Sequence, residues 1–124
     1  MISVIIVEDN KIIRESLFSL INGTDGLSCI ASYGDCESMF SDTKLGKTDI
    51  VLMDIALPGM DGIEAFNVIR NIGQLSHIPI VALTASAMIL DRETILAHGF
   101  DGYIAKPIDE KVFYNTINQV LYGK

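Results

Sequence analysis

Residues 49–62 read Asp-Ile-Val-Leu-Met-Asp-Ile-Ala-Leu-Pro-Gly-Met-Asp-Gly, and they restrict the fold more than any other stretch. Ile50, Val51, Leu52 and Met53 are apolar without alternation. A strand with one wet face alternates, whereas an unbroken run bounded by turn residues suits a strand covered on both faces, as in parallel sheets. The run ends in Asp54, after which Pro58-Gly59 and Asp61-Gly62 turn the chain out of the sheet. Open α/β sheets place their ligands at the carboxyl ends of their strands, so Asp54 is a candidate for chemistry. A strand-terminating Asp that only starts a turn has the same local sequence. Its partners elsewhere in the chain decide between the two.

Strand-like apolar runs alternate with segments of helical period along the whole chain. Residues 3–7 form the first run, and Glu8-Asp9-Asn10 supplies N-capping side chains for the helix behind it. In that helix Ile13, Leu17, Leu20 and Ile21 share one face at the spacing i, i+4, i+7, i+8. Asn22-Gly23 stops it. Residues 27–33 are a weaker strand, and Gly34-Asp35 opens a short helix to about Phe40. After the strand to Asp54, a third helix over 62–72 buries Ala65, Phe66 and Ile69. Pro79 precedes the run Ile80-Val81-Ala82-Leu83, which ends in Thr84. A fourth helix spans about 86–98, and a short strand over 102–105 leads into Lys106-Pro107. The last helix starts near an Asp109 cap and buries Phe113, Ile117, Val120 and Leu121. Five βα units predict a parallel sheet with helices on both faces, because right-handed crossovers leave few other arrangements.

At 124 residues the expectation is a single domain over 1–124 with its own core and no output domain within it. No apolar run approaches the roughly 20 residues of a membrane span. The first residues run straight into acids without a basic leader, which reads as a strand rather than a signal peptide. Cys29 and Cys36 have no clustered His and read as reduced thiols of a cytoplasmic protein. A net charge of −7, with no basic cluster, argues against direct nucleic-acid binding, which depends on counterion release to Lys and Arg.

In a parallel sheet all carboxyl ends share one edge, so Glu8-Asp9, Asp54, Thr84 and Lys106 meet there. Three acids packed together repel one another and resist full ionisation. A hard divalent cation removes that conflict, and magnesium with its retained waters needs only two carboxylates and a carbonyl. Asp54 then stays a carboxylate nucleophile able to form an acyl phosphate. Magnesium, the Lys106 ammonium and the Thr84 hydroxyl would neutralise the phosphoryl oxygens. Taken singly, Glu8-Asp9 could be a helix cap, Thr84 a strand-end hydroxyl and Lys106 a solvated loop lysine. Their coincidence at the right strand ends is what favours a site.

The chain resembles the receiver domains of two-component response regulators, of the small chemotaxis-regulator kind. The matching motifs are Val-Glu-Asp-Asn at 7–10, Met-Asp-Ile-Ala-Leu-Pro-Gly-Met-Asp-Gly at 53–62, Leu-Thr-Ala at 83–85 and Lys-Pro at 106–107. The resemblance implies a flavodoxin-like three-layer sandwich, with five parallel strands in the order 2-1-3-4-5 and five helices. It implies Asp54 as phospho-acceptor. Asp9 and Asp54 would be direct magnesium ligands, Glu8 would assist, and the Ala56 carbonyl would complete the set. Thr84 and Lys106 would bind the phosphoryl group, and Tyr103 would be the switch aromatic. Glu8 fills a place often held by Asp, and its longer side chain is expected to move the carboxylate outward. The implied partners are a histidine kinase or histidine phosphotransfer protein, and a downstream target, an output domain or a second copy. Both a hybrid kinase and a stand-alone regulator fit this motif.

On the first helix, Ile12 and Phe18 point away from the core face at 100° per residue, which marks a docking surface for the phosphodonor. Met88, Ile89 and Leu90 are consecutive and cannot all face the sheet, so the fourth helix, with Tyr103 beside it, is the expected output or dimer face. Two other classes of function stay in view. A phosphohydrolase of the haloacid-dehalogenase kind shares the Asp nucleophile and magnesium, but wants a second acid where Ala56 stands. A binding module of the same fold without phosphorylation would not need Asp9, Asp54, Thr84 and Lys106 together.

Overall fold

The computed structural model describes residues 1–57, 59–85 and 89–122, with the side chains of 89–91 excepted. In chain order they form β1 (Ile2–Val7), α1 (Lys11–Asn22), β2 (Leu27–Tyr33), α2 (Cys36–Phe40), β3 (Ile50–Asp54), α3 (Gly62–Arg70), β4 (Ile80–Thr84), α4 (Ile89–Ala97), β5 (Gly102–Ala105) and α5 (Glu110–Tyr122). All strand pairs are parallel and the sheet order is β2-β1-β3-β4-β5, with helices on both faces. This is the flavodoxin-like arrangement that the motif order implied.

The parity of each strand divides the core in two. Ile5, Val7, Val51, Met53, Ile80 and Ala82 face a layer that includes Met39, Phe66, Ile69 and Ile95. Val4, Ile6, Ile50, Leu52, Val81 and Leu83 face the layer of Leu17, Ile21, Phe113 and Ile117. So α2, α3 and α4 cover one face, and α1 and α5 cover the other. Each buried Val, Leu or Ile contributes about 2 kcal/mol relative to exposure. That explains why β3, buried at every position, has no alternation to show.

Caps place the helices. The Asn10 side chain accepts from the Ile13 amide at 3.1 Å, so Asn10 rather than Glu8 or Asp9 caps α1. Asp61 and Glu64 form a reciprocal capping box at the start of α3. There Gly62 packs so closely on the end of β3 that a Cβ would lie 2.5 Å from the Asp54 carbonyl oxygen and 2.7 Å from the Ile55 Cα.

Several expectations need adjustment. β1 begins at Ile2, one residue earlier than expected. The α3 helix ends at Arg70 and not near Ile72, because Asn71 caps it and its Nδ2 donates to the Asn67 carbonyl, a local bond that competes with helix continuation. Ile13, Leu20, Val120 and Leu121 are only half-buried, at the margins of their helix faces. A 3-10 turn over Thr43–Lys47, capped by Asp42, was not foreseen. The expected start of the fourth helix near Ser86, and the expected exposure of Met88, Ile89 and Leu90, lie outside the described residues and side chains.

Candidate functional site

β1 and β3 are neighbours with Val7 opposite Met53, so the next residue of each, Glu8 and Asp54, emerge side by side. Thr84 ends β4 opposite Ala105, and the Lys106 amide donates to the Thr84 carbonyl at 2.7 Å. Four strand ends therefore converge at the point where the sheet order reverses between β1 and β3, where such sheets bind ligands.

Asp54 is buried. Its Oδ1 accepts from the Ala56 amide at 2.9 Å, and its Oδ2 accepts from Lys106 Nζ at 2.8 Å. The same ammonium lies 2.6 Å from Glu8 Oε1. Glu8 Oε2 accepts from the Asn10 amide at 2.9 Å, and Arg14 Nη1 donates to the Glu8 carbonyl at 2.7 Å. Glu8 is 0% exposed, so its carboxylate points into the site and not outward as expected from its length. The extra methylene is used to reach Lys106, where ion pairing offsets burial.

One lysine thus faces two buried carboxylates. Burial raises the pKa of Glu8, and the nearby Asp54 charge adds to the effect against the opposing pull of Lys106. For Lys106 burial works against the ammonium, yet the bonds to Asp54 and Glu8 outweigh it and raise its pKa. Asp9 stands exposed at the rim, and oxygens of Glu8, Asp9 and Asp54 all lie within 4.8 Å of one another. Glu8 Oε1 is buried and has no aligned hydrogen bond, despite its close charge contact with Lys106. Three carboxylates this close, two of them buried and sharing a single lysine, offer hard oxygen donors that suit magnesium, which takes oxygen ligands.

Thr84 is buried, and Tyr103 is half-buried on the adjacent strand with the Arg92 guanidinium 5.6 Å from its ring centroid. Ala56 is exposed, and its amide donates a hydrogen bond to Asp54 Oδ1. Ile12 and Phe18 are 78% and 44% exposed. Ile12 lies in the wall of an open cleft that also contains Glu8, Asp9 and Lys106. Met88 and the Ile89 side chain are outside the described set. Sequence reasoning missed Asn10 and Arg14 as supports of Glu8, because each contact has a backbone group on one side, the Asn10 amide in one and the Glu8 carbonyl in the other, which carries no side-chain signature.

The sequence pattern of the response regulator receiver domain matches residues 4–118, and the chain belongs to that family. The polar-differentiation response regulator DivK of Brucella anthropi is 36% identical over 119 residues, covering 96% of this chain and 95% of that protein. Hybrid signal transduction histidine kinase I of Dictyostelium discoideum is 38% identical over 93% of this chain, which spans only 7% of that protein's length. In fold, the chemotaxis response regulator CheY4 of Vibrio cholerae superposes with a TM-score of 0.85 over 98% of this chain and 99% of that one, at 23% identity. The chain is thus a receiver domain of two-component signalling, a signalling module rather than a turnover enzyme.

Proposed function

We propose that Asp54 accepts a phosphoryl group from a phosphohistidine on a histidine kinase or histidine phosphotransfer protein. The observation that carries this reading is a buried Asp54 carboxylate 2.8 Å from the Lys106 ammonium, with the Glu8 and Asp9 oxygens alongside. In the step an Asp54 oxygen attacks phosphorus. The P–N bond of the protonated phosphoimidazole breaks, its electron pair stays on nitrogen, and neutral imidazole leaves an acyl phosphate on Asp54. Lys106 offsets charge on the transferring oxygens, and the Thr84 hydroxyl donates to one of them. Asp9, Asp54 and the Ala56 carbonyl would hold Mg2+ with Glu8 assisting. When bound, the ion supplies further charge neutralisation at the phosphoryl oxygens.

The phosphodonor docks over Ile12 and Phe18 on α1, beside the cleft that leads to Asp54. Phosphorylation shifts Thr84 and Tyr103 and alters the face formed by α4, β5 and α5, where a downstream target, an output domain or a second copy binds. Residues 1–124 act as one cytoplasmic receiver, free or within a longer regulator, without direct contact to nucleic acid or membrane. Its own chemistry is limited to self-directed transfer and loss of the phosphoryl group.

The test is acetyl phosphate with magnesium on wild type and Asp54→Asn, read by intact mass. The expected result is an addition of about 80 Da, one phosphoryl group, on wild type alone. Equal labelling of the variant would remove Asp54 from the role. Rapid multiple turnover would instead mark a phosphohydrolase, and no adduct on either protein a non-phosphorylated binding module.

A further inference from the structure

Glu37 lies outside the acidic site, exposed on the first turn of the five-residue α2. Its carboxylate does not pair with a cation among the described residues. It reaches across to the turn between β3 and α3, where Oε2 accepts from the Met60 amide at 3.1 Å. The turn is shaped to admit it. Gly59 has a φ of +71°, and a Cβ there would lie 2.8 Å from Glu37 Oε2. A side chain at 59 would be strained and would also displace the carboxylate. Met60 is half-buried against the core layer that includes Met39 of α2, so this contact seals α2 to the turn.

The same turn carries Ala56. It is pinned at one end by the Ala56 amide on Asp54 Oδ1, at 2.9 Å. At the other end the Gly62 amide donates to the Ile55 carbonyl at 3.2 Å. Between these two points Glu37 holds the Met60 amide from outside. We infer that Glu37 is a positioning residue: its bond to the Met60 amide holds the β3–α3 turn so that the Ala56 carbonyl stays available to the cation at Asp54. This rests on the proposed function, in which Ala56 is a ligand.

A bond to a charged acceptor is the stronger kind, and groups that orient a ligand from outside typically change metal affinity by about tenfold or more when removed. The experiment is a magnesium titration of the unphosphorylated protein, followed through the amide NMR shifts of residues 54–56, on wild type, Glu37→Ala and Glu37→Gln. The Met60 amide exchange rate and the urea midpoint are measured alongside. The expected result is an approximately tenfold weaker magnesium affinity and faster Met60 exchange in Glu37→Ala. Glu37→Gln, whose amide oxygen still accepts, should return both to within about twofold of wild type. That rescue separates the hydrogen bond from the loss of a nearby negative charge. Unchanged affinity in Glu37→Ala, or equal losses in Ala and Gln variants, overturns the assignment. If Glu37→Ala fails to fold, Gly59→Ala should expel the carboxylate and weaken magnesium equally, and wild-type affinity there would overturn it. A wild type that shows no magnesium response at residues 54–56 overturns both this role and the proposed function. A response in wild type with no effect at Glu37 overturns the positioning role alone.

Discussion

Tyr33 ends β2, and its hydroxyl donates to Asp42 Oδ2 at 2.8 Å. Burial, then this bond and the Asp42 charge, push the phenol up to about 12. The bond from Tyr33 holds the Asp42 carboxyl below its ordinary value. A raised phenol contributes stability that is complete below pH 10 and lost as pH climbs towards 12. A depressed carboxyl contributes stability that is present above about pH 4 and lost as pH falls through its folded value. The contact therefore works between about pH 4 and pH 10. Tyr33→Phe should lower the urea midpoint at neutral pH, and its gap from wild type should close at both extremes. Ultraviolet titration should show one tyrosine ionising near 12 and absent from the variant. A gap that is the same at every pH would mean that packing, not this bond, is what the phenol contributes. Glu8 shows a different lesson at this scale. The Val-Glu-Asp-Asn motif identifies it, but only its 0% exposure and the 2.6 Å contact to Lys106 show that it faces inward. Lys106 is the shared partner of both buried carboxylates, so its removal leaves two acids without their cation, whereas removal of Glu8 leaves Lys106 paired with Asp54.

Among elements, α1 packs on the sheet and, under the proposed function, also docks the phosphodonor. Leu17 and Ile21 bury against the sheet, while Ile12 and Phe18 leave apolar surface in water, Ile12 in the wall of the acidic cleft. Single exposed apolar residues are common, so exposure alone does not make a docking face. The place of Ile12 in the cleft containing Glu8, Asp9 and Lys106 is what supports the docking proposal. Ile12→Ser and Phe18→Ser should slow phosphotransfer from the cognate phosphohistidine protein about tenfold, as losing a buried apolar contact worth about 1.4 kcal/mol would. Labelling by acetyl phosphate should stay at the wild-type rate, since a small donor needs no docking helix. Wild-type rates with the protein donor would place its docking elsewhere. The periodicity of α1 was readable because one face packs on the sheet, with Leu17 and Ile21 buried and Ile13 and Leu20 at its margins. The end of α3 was not, because Asn71 wins a local contest for the last carbonyls that hydrophobic period does not register.

For the whole molecule, the question is how an event at β3 reaches the far face. Asp54 pairs opposite Leu83, and Thr84 opposite Ala105, so two strand contacts separate the proposed acceptor from β5. Tyr103, on β5, packs partly against the layer shared by α3 and α4, with Arg92 over its ring. Under the proposed function, a phosphoryl group on Asp54 would draw the Thr84 hydroxyl towards it, open space for the ring and bias an existing equilibrium of rotamers. Burying the phenol hydroxyl opposes that shift unless it finds a partner. Tyr103 rotamer populations, read by NMR couplings, should therefore differ between the free protein and the protein bound to a phosphate mimic with magnesium. Identical populations would exclude Tyr103 from the response.

The sequence alone determined the class of architecture. An apolar run at Ile50–Met53 without alternation suits a strand covered on both faces, and five βα units with right-handed crossovers leave few arrangements other than a parallel sheet between helices, while the strand order 2-1-3-4-5 was implied by the motif resemblance. It also placed Glu8, Asp9, Asp54, Thr84 and Lys106 at one edge, because parallel strands all end on the same side. Tertiary structure decided which of these touch. Lys106 bridges Glu8 and Asp54, Asp9 is left in solvent, and Glu37 reaches a turn 23 residues away. Such contacts depend on ångström-scale register between separate elements and on where each side chain finds compensation for its burial. Periodicity and spacing carry strand direction and face, but not those distances.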